Sequence, residues 1–145
     1  MPCAWLSLDA DDNNLKRFLT YAITALKAVS PKAGGTTLAL LHSTQTSPVE
    51  SVLTVLINEL SSFSHDFCLV LDDYHLIDTQ AVHAALVYLI EYMPQRMHLV
   101  LTSRSDPALP LSRLRARGQL LELRQADLRF TPEEAASFLN QNLGI

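Results

Sequence analysis

The sequence predicts an α/β fold organised around a parallel sheet. Three observations point to it. Phe67 to Leu71 (FCLVL) is an unbroken apolar run followed at once by Asp72 and Asp73. Such a run suits a strand covered on both faces, as in a parallel sheet. A second compact apolar run, Met97 to Leu101 (MHLVL), ends in Thr102, Ser103 and Arg104. Segments with helical period precede both runs, so the chain alternates helix and strand.

Composition fits a globular domain. Of 145 residues, 48% are hydrophobic and 18% charged, which excludes a disordered chain. The longest apolar runs fall far short of the roughly 20 residues of a membrane helix. With a formal charge of -4 and no basic tract, the chain itself is not expected to bind nucleic acid. Cys3 and Cys68 stand among apolar residues and read as separate buried thiols. That suits a reducing, cytoplasmic setting. Met1 to Leu8 has neither the basic start nor the long apolar stretch of a signal peptide.

Taken in order, Ala4 to Leu8 reads as a short strand. Asp9 to Asn14 (DADDNN) is a polar break. Its acids have no metal-ligand spacing and read as a solvated, helix-starting loop. From Leu15 to Val29 the apolar positions Leu15, Phe18, Leu19, Ala22, Leu26 and Val29 share a helical face, capped by Asn13 or Asn14. Ser30 to Ser47 is either a loop or an extension of its neighbours. Its KAGGTT (Lys32 to Thr37) has the lysine before the glycines. In a phosphate-binding loop the lysine follows the last glycine, so this reading is set aside.

Ser47, Pro48 and Glu50 form a capping-box signature for a helix running to about Phe63. Thr79 to Met93 is the next helix, stopped by Pro94. Pro110 opens a short helix that Gly118 closes, and Leu120 to Leu123 reads as a last short strand. Thr131, Pro132 and Glu134 repeat the capping box ahead of a helix with Ala135, Phe138 and Leu139 on one face.

The candidate chemistry lies at the strand ends, where open α/β sheets place their ligands. In a nucleoside-triphosphatase Asp72 would hold hydrated Mg²⁺ and Asp73 would polarise or position a water; the plain alternative is an Asp-Asp turn cap. If the two apolar strands are neighbours, the tip Thr102–Ser103–Arg104 lies beside these acids. It would sense a γ-phosphate, or Arg104 would form a plain ion pair with an aspartate. His75 is near the same edge; it is a candidate base or cofactor-binding group there, and reads first as a turn residue with a hydrogen-bonding role. Arg113, Arg115 and Arg117 read as a solvated face.

Three stretches carry a family resemblance: Ala4 to Leu26 (AWLSLDADDNN with RFLTYAITAL), Leu69 to Asp78 (LVLDDYHLID), and His98 to Leu139 (HLVLTSRSDPALPLSRLRARGQLLEL with DLRFTPEEAASFL). Through them the chain resembles part of the nucleotide-binding domain of the large ATP-dependent LuxR-type bacterial transcription regulators, the family of the maltose-regulon activator. These are signal-transduction ATPases with many domains.

The resemblance implies that Asp72 and Asp73 are the acids of the magnesium strand. It implies that Ser103 and Arg104 are the sensor at the next strand end, with Asp106 and Pro107 in the turn beyond. It implies a three-layer P-loop NTPase-like parallel sheet, truncated and lacking its phosphate-loop strand, as a partial NTPase domain over residues 1–145 that starts after the phosphate-binding loop. ATP and Mg²⁺ would be cofactors of the intact protein, with inducer and promoter DNA as its partners. The chain alone would hold no nucleotide and show no hydrolysis, and an open sheet edge would invite a homodimer. The alternatives are a receiver-like or other non-catalytic α/β signalling or protein-interaction module. A receiver would want a lysine at a later strand end, and none is seen.

Overall fold

The structure, a computed structural model, describes residues Met1 to Leu143. Two compact units divide the chain, Met1–Leu109 and the residues from Pro110 onward.

The first unit is built on three parallel strands in the order β1-β2-β3: β1 (Cys3–Ser7), β2 (Phe67–Asp72) and β3 (Met97–Leu101). The α/β parallel sheet expected from the two apolar runs is present, and β2 and β3 are neighbours. β2 is central, which is why its first five residues are all buried. Between β1 and β2 run α1 (Leu15–Leu26), α2 (Gly35–His42) and α3 (Val49–Ser61). Between β2 and β3 come a 3-10 turn at Tyr74–Leu76 and α4 (Gln80–Glu91).

One core joins these elements. Ala4, Phe67, Leu69, Leu71 and Met97 share one sheet face and cluster with Phe18, Ile23 and Leu26 of α1, Leu53, Leu56 and Leu60 of α3, and Val82, Leu86 and Leu89 of α4. Ile23, left out of the expected stripe, is fully buried. The other sheet face carries Cys3, Trp5, Cys68, Val70, His98 and Val100. Trp5 is 60% exposed and Val100 44% exposed there, whereas Cys68 and Val70 between them are buried; α1, α3 and α4 form a helical layer on the opposite face of this unit.

Ser30 to Ser47 is neither a plain loop nor an extension of its neighbours, because it contains α2. Gly34 turns the chain into this helix at φ +66, and a Cβ there would meet Ile23 Cγ2 at 2.1 Å. The expected cap on Ser47 is not formed. Pro48 itself is the cap residue of α3, and its carbonyl accepts from the N–H groups of Ser51 and Val52. The cysteines also differ from expectation. Both are free thiols, but only Cys68 is buried; Cys3 is exposed, and the two are register partners.

The second unit contains α5 (Leu111–Ala116) and α6 (Pro132–Leu143). Gly118 closes the first at φ +65. The capping box at α6 forms in full: the Glu134 carboxylate accepts from Thr131 N–H at 2.8 Å, and Thr131 Oγ1 accepts from Glu134 N–H at 3.2 Å. Leu120 to Leu123 is not a strand. A strand needs ladder partners for its backbone, and none is formed there. Instead Glu122 is held by Arg115 at 2.8 Å and by Arg124, while Leu121 and Leu123 stand exposed.

Candidate functional site

The candidate site lies where β2 and β3 end side by side. Leu71 pairs with Leu101 in parallel register, so the residues after each meet. Thr102 joins the two tips. Its hydroxyl donates to Asp72 Oδ1, its Oγ1 accepts from Asp73 N–H at 2.9 Å, and its carbonyl accepts from Tyr74 N–H at 2.9 Å. The Thr102 N–H donates to Leu71 O at 3.1 Å, while β1 adds Leu8 N–H to Asp72 O at 3.0 Å. Asp72 is therefore clamped by backbone from β1 and by side chain from β3.

Asp73 has a left-handed backbone (φ 59), a conformation that non-glycine residues seldom adopt and that aspartate tolerates better than most. The turn lets the chain leave β2 sharply while its N–H stays on Thr102. His75 Nδ1 lies 3.8 Å from Asp73 Oδ1 and is buried without a hydrogen-bond partner among the described residues.

Ser103 and Arg104 are not drawn to the acids. The Ser103 hydroxyl donates to Ser105 O at 2.6 Å, closing a local turn. Arg104 is exposed and makes no side-chain ion pair with Asp72 or Asp73 among the described residues. Of the polar tip, it is Thr102 that meets Asp72.

Two supports of this site were not legible in the sequence. The first is Asn13. Its Oδ1 accepts from Asp78 N–H, Thr79 N–H and Thr79 Oγ1 at 2.8–3.0 Å. Its Nδ2 donates to Leu76 O at 2.9 Å and to Ala10 O at 3.0 Å. This fastens the segment following the acids to the loop following β1. That loop is not simply solvated, for Asp12 is buried, accepting from Asp9 N–H at 2.9 Å and Arg17 Nε at 3.1 Å. The second support is Tyr74, buried beneath the acids with its hydroxyl 2.8 Å from His83 Nδ1. Burial pushes the Tyr74 phenol up, so it stays protonated.

The donor set suits part of a magnesium site. No group of three or more His, Cys, Asp or Glu side chains among the described residues is placed to hold a metal. Mg²⁺ on a nucleotide asks for less, one or two carboxylates beside phosphates and waters, and Asp72 meets that demand from a rigid strand end. A phosphate cradle is not built at KAGGTT. The start of α2 is already filled by Glu59, whose carboxylate accepts from Thr36 N–H at 2.9 Å, Thr37 N–H at 3.3 Å and Thr37 Oγ1 at 2.6 Å. Burial works to raise the Glu59 pKa, but these donors prevail and hold it below the usual carboxylate value.

No protein-family model matches the chain. It is 35% identical to the HTH-type transcriptional regulator MalT of Klebsiella pneumoniae over 139 residues, 96% of this chain and 15% of that protein. It is 34% identical to MalT of Yersinia enterocolitica, over 97% of this chain and 16% of that protein, and 36% identical to MalT of Yersinia pestis, over 96% and 15%. Nearly the whole chain thus resembles one segment of the maltose-regulon activator family, and it spans about 15% of the length of the relatives it matches.

Proposed function

We propose that this chain is part of the ATP-dependent switch domain of a MalT-type transcription regulator, with Asp72 as its magnesium-holding acid. The observation that carries the reading is the clamp between Thr102 and Asp72 at adjacent parallel strand tips. A strand-end carboxylate oriented by the next strand is the arrangement a nucleotide-bound Mg²⁺ needs. When bound, the ion neutralises phosphate charge. Asp72 would hold it through the carboxylate oxygen that Thr102 leaves free.

Asp73 follows on the same turn and would position a water. Arg104 stands exposed two residues after Thr102, available to a phosphate once one is held nearby. Ser103 and His75 would shape the turns that flank these groups. The phosphate cradle would come from another part of the longer protein, which would also supply the inducer and promoter-DNA functions.

The isolated chain should therefore show no ATP turnover. An ATPase assay on the purified chain tests this. Clear turnover abolished by Asp72→Asn would overturn the proposal, because the chain would then build a complete site by itself.

A further inference from the structure

Cys3 and Cys68 are direct register partners at the start of the parallel β1–β2 ladder. Register partners on neighbouring strands turn their side chains to the same sheet face, here the one opposite α1, α3 and α4. Neighbouring strands lie roughly 4.7–4.9 Å apart. That falls within the roughly 4.4–6.8 Å of Cα separation that a disulfide spans. Both thiols are free, and their surroundings differ: Cys3 is exposed and Cys68 is buried. Burial first, then the charge and hydrogen bonding of Cys3, push the Cys68 thiol up. Hence Cys68 is a poor first nucleophile, and a reagent from solvent meets Cys3.

We propose that Cys3 and Cys68 form an exchange-active dithiol site for small-molecule disulfides, with Cys3 the entry thiol and Cys68 the resolving thiol. In the first step the Cys3 thiolate attacks one sulfur of the small disulfide. A bond forms between Cys3 and that sulfur, and the other half leaves as a thiolate that takes up a proton. In the second step Cys68 gives up its proton to solvent and attacks the Cys3 sulfur, expelling the second half. The protein loses two hydrogen atoms and becomes a Cys3–Cys68 disulfide, while the small disulfide is reduced to two thiols.

Side chains standing on parallel strands roughly 4.7–4.9 Å apart keep their Cβ atoms at about that spacing, a little more than the roughly 3.5–4.5 Å a disulfide prefers. β1 must therefore close slightly on β2. It pairs only with β2 among the described residues, so it has room to do so. The resulting strain keeps the bond easy to reduce. Closure ties β1 to the strand that carries Asp72 at its far end.

The test is to incubate the intact chain with excess oxidised glutathione at mildly alkaline pH under native conditions. Free thiols are then trapped, and the products are mapped by mass spectrometry without reductant. The expected product is a monomer lighter by two hydrogen atoms, with the peptides of Cys3 and Cys68 joined. Cys68→Ser should stop at a glutathione adduct on Cys3, and folded Cys3→Ser should stay unmodified. A wild-type product that stops at the Cys3 adduct, or only a Cys3-linked dimer, would overturn the proposal. So would a Cys3–Cys68 link that forms only after denaturation.

Discussion

The hydroxyl of Thr102 donates to the carboxylate of Asp72 across the tips of two neighbouring parallel strands. The same oxygen accepts from Asp73 N–H, so one side chain fixes both the orientation of the acid and the turn that follows it. Thr102→Val keeps the shape and removes both bonds. It should destabilise the unit by about 1–2 kcal/mol, with Thr102→Ser close to wild type. Urea unfolding midpoints check this, and equal midpoints for the Val and Ser variants would contradict it.

Asn13 makes five hydrogen bonds, four of them to Leu76, Asp78 and Thr79, at least 63 positions away in the chain. Asn13→Ala should cost about 2–3 kcal/mol, because several donors lose one shared acceptor. Amide exchange at Asp78 and Thr79 should quicken in that variant more than exchange in β2. Unchanged protection at both amides would show that the fastening is not formed in solution.

Glu59 makes stability pH-dependent. Its folded-state pKa lies below its unfolded value, so its contribution is present above the unfolded pKa of about 4.5 and is lost as pH falls through the lowered folded value. Glu59→Gln should therefore cost stability near neutrality, and its difference from wild type should shrink on acidification below about pH 4.5. Denaturant midpoints of the two proteins from pH 7 to pH 3 give the comparison. A constant difference across that range would refute the linkage.

Gly34→Ala should be among the most damaging single changes in the first unit. The residue has φ +66 and faces fully buried Ile23, so the added carbon meets both backbone strain and a side chain that cannot retreat. A loss of about 2–4 kcal/mol is expected. A thermal melt within a degree of wild type would mean that α2 is entered in some other way.

The sheet and three of its helices were legible because their signals are local. FCLVLD is apolar wherever it is viewed, and the stripes around Phe18, Leu53 and Leu86 repeat with helical period. The site was half legible. Once β2 and β3 are neighbours, the acids and the polar tip must meet, but the chain order does not say that Thr102 rather than Ser103 or Arg104 is the residue that turns inward. α2 was missed because GTTLALLH has little polar–apolar periodicity and its start is held by Glu59, which lies 22 residues beyond Thr37. The pairing of Cys3 with Cys68 depends on strand register, and Leu120 to Leu123 has strand-like residues but no ladder to join. Each of these depends on a partner distant in sequence.

The account turns on Asp72 as the acid that engages a nucleotide-bound magnesium ion once the rest of the domain is present. The most direct measurement is a calorimetric ATP titration of Klebsiella pneumoniae MalT in which this chain replaces the 139-residue matching segment. It is run with and without Mg²⁺, for the parent chimera and for its Asp72→Asn variant. The account predicts that Mg²⁺ tightens ATP binding in the parent and that this tightening disappears in the variant, while magnesium-free affinity changes little. An equal Mg²⁺ effect in both proteins would contradict it.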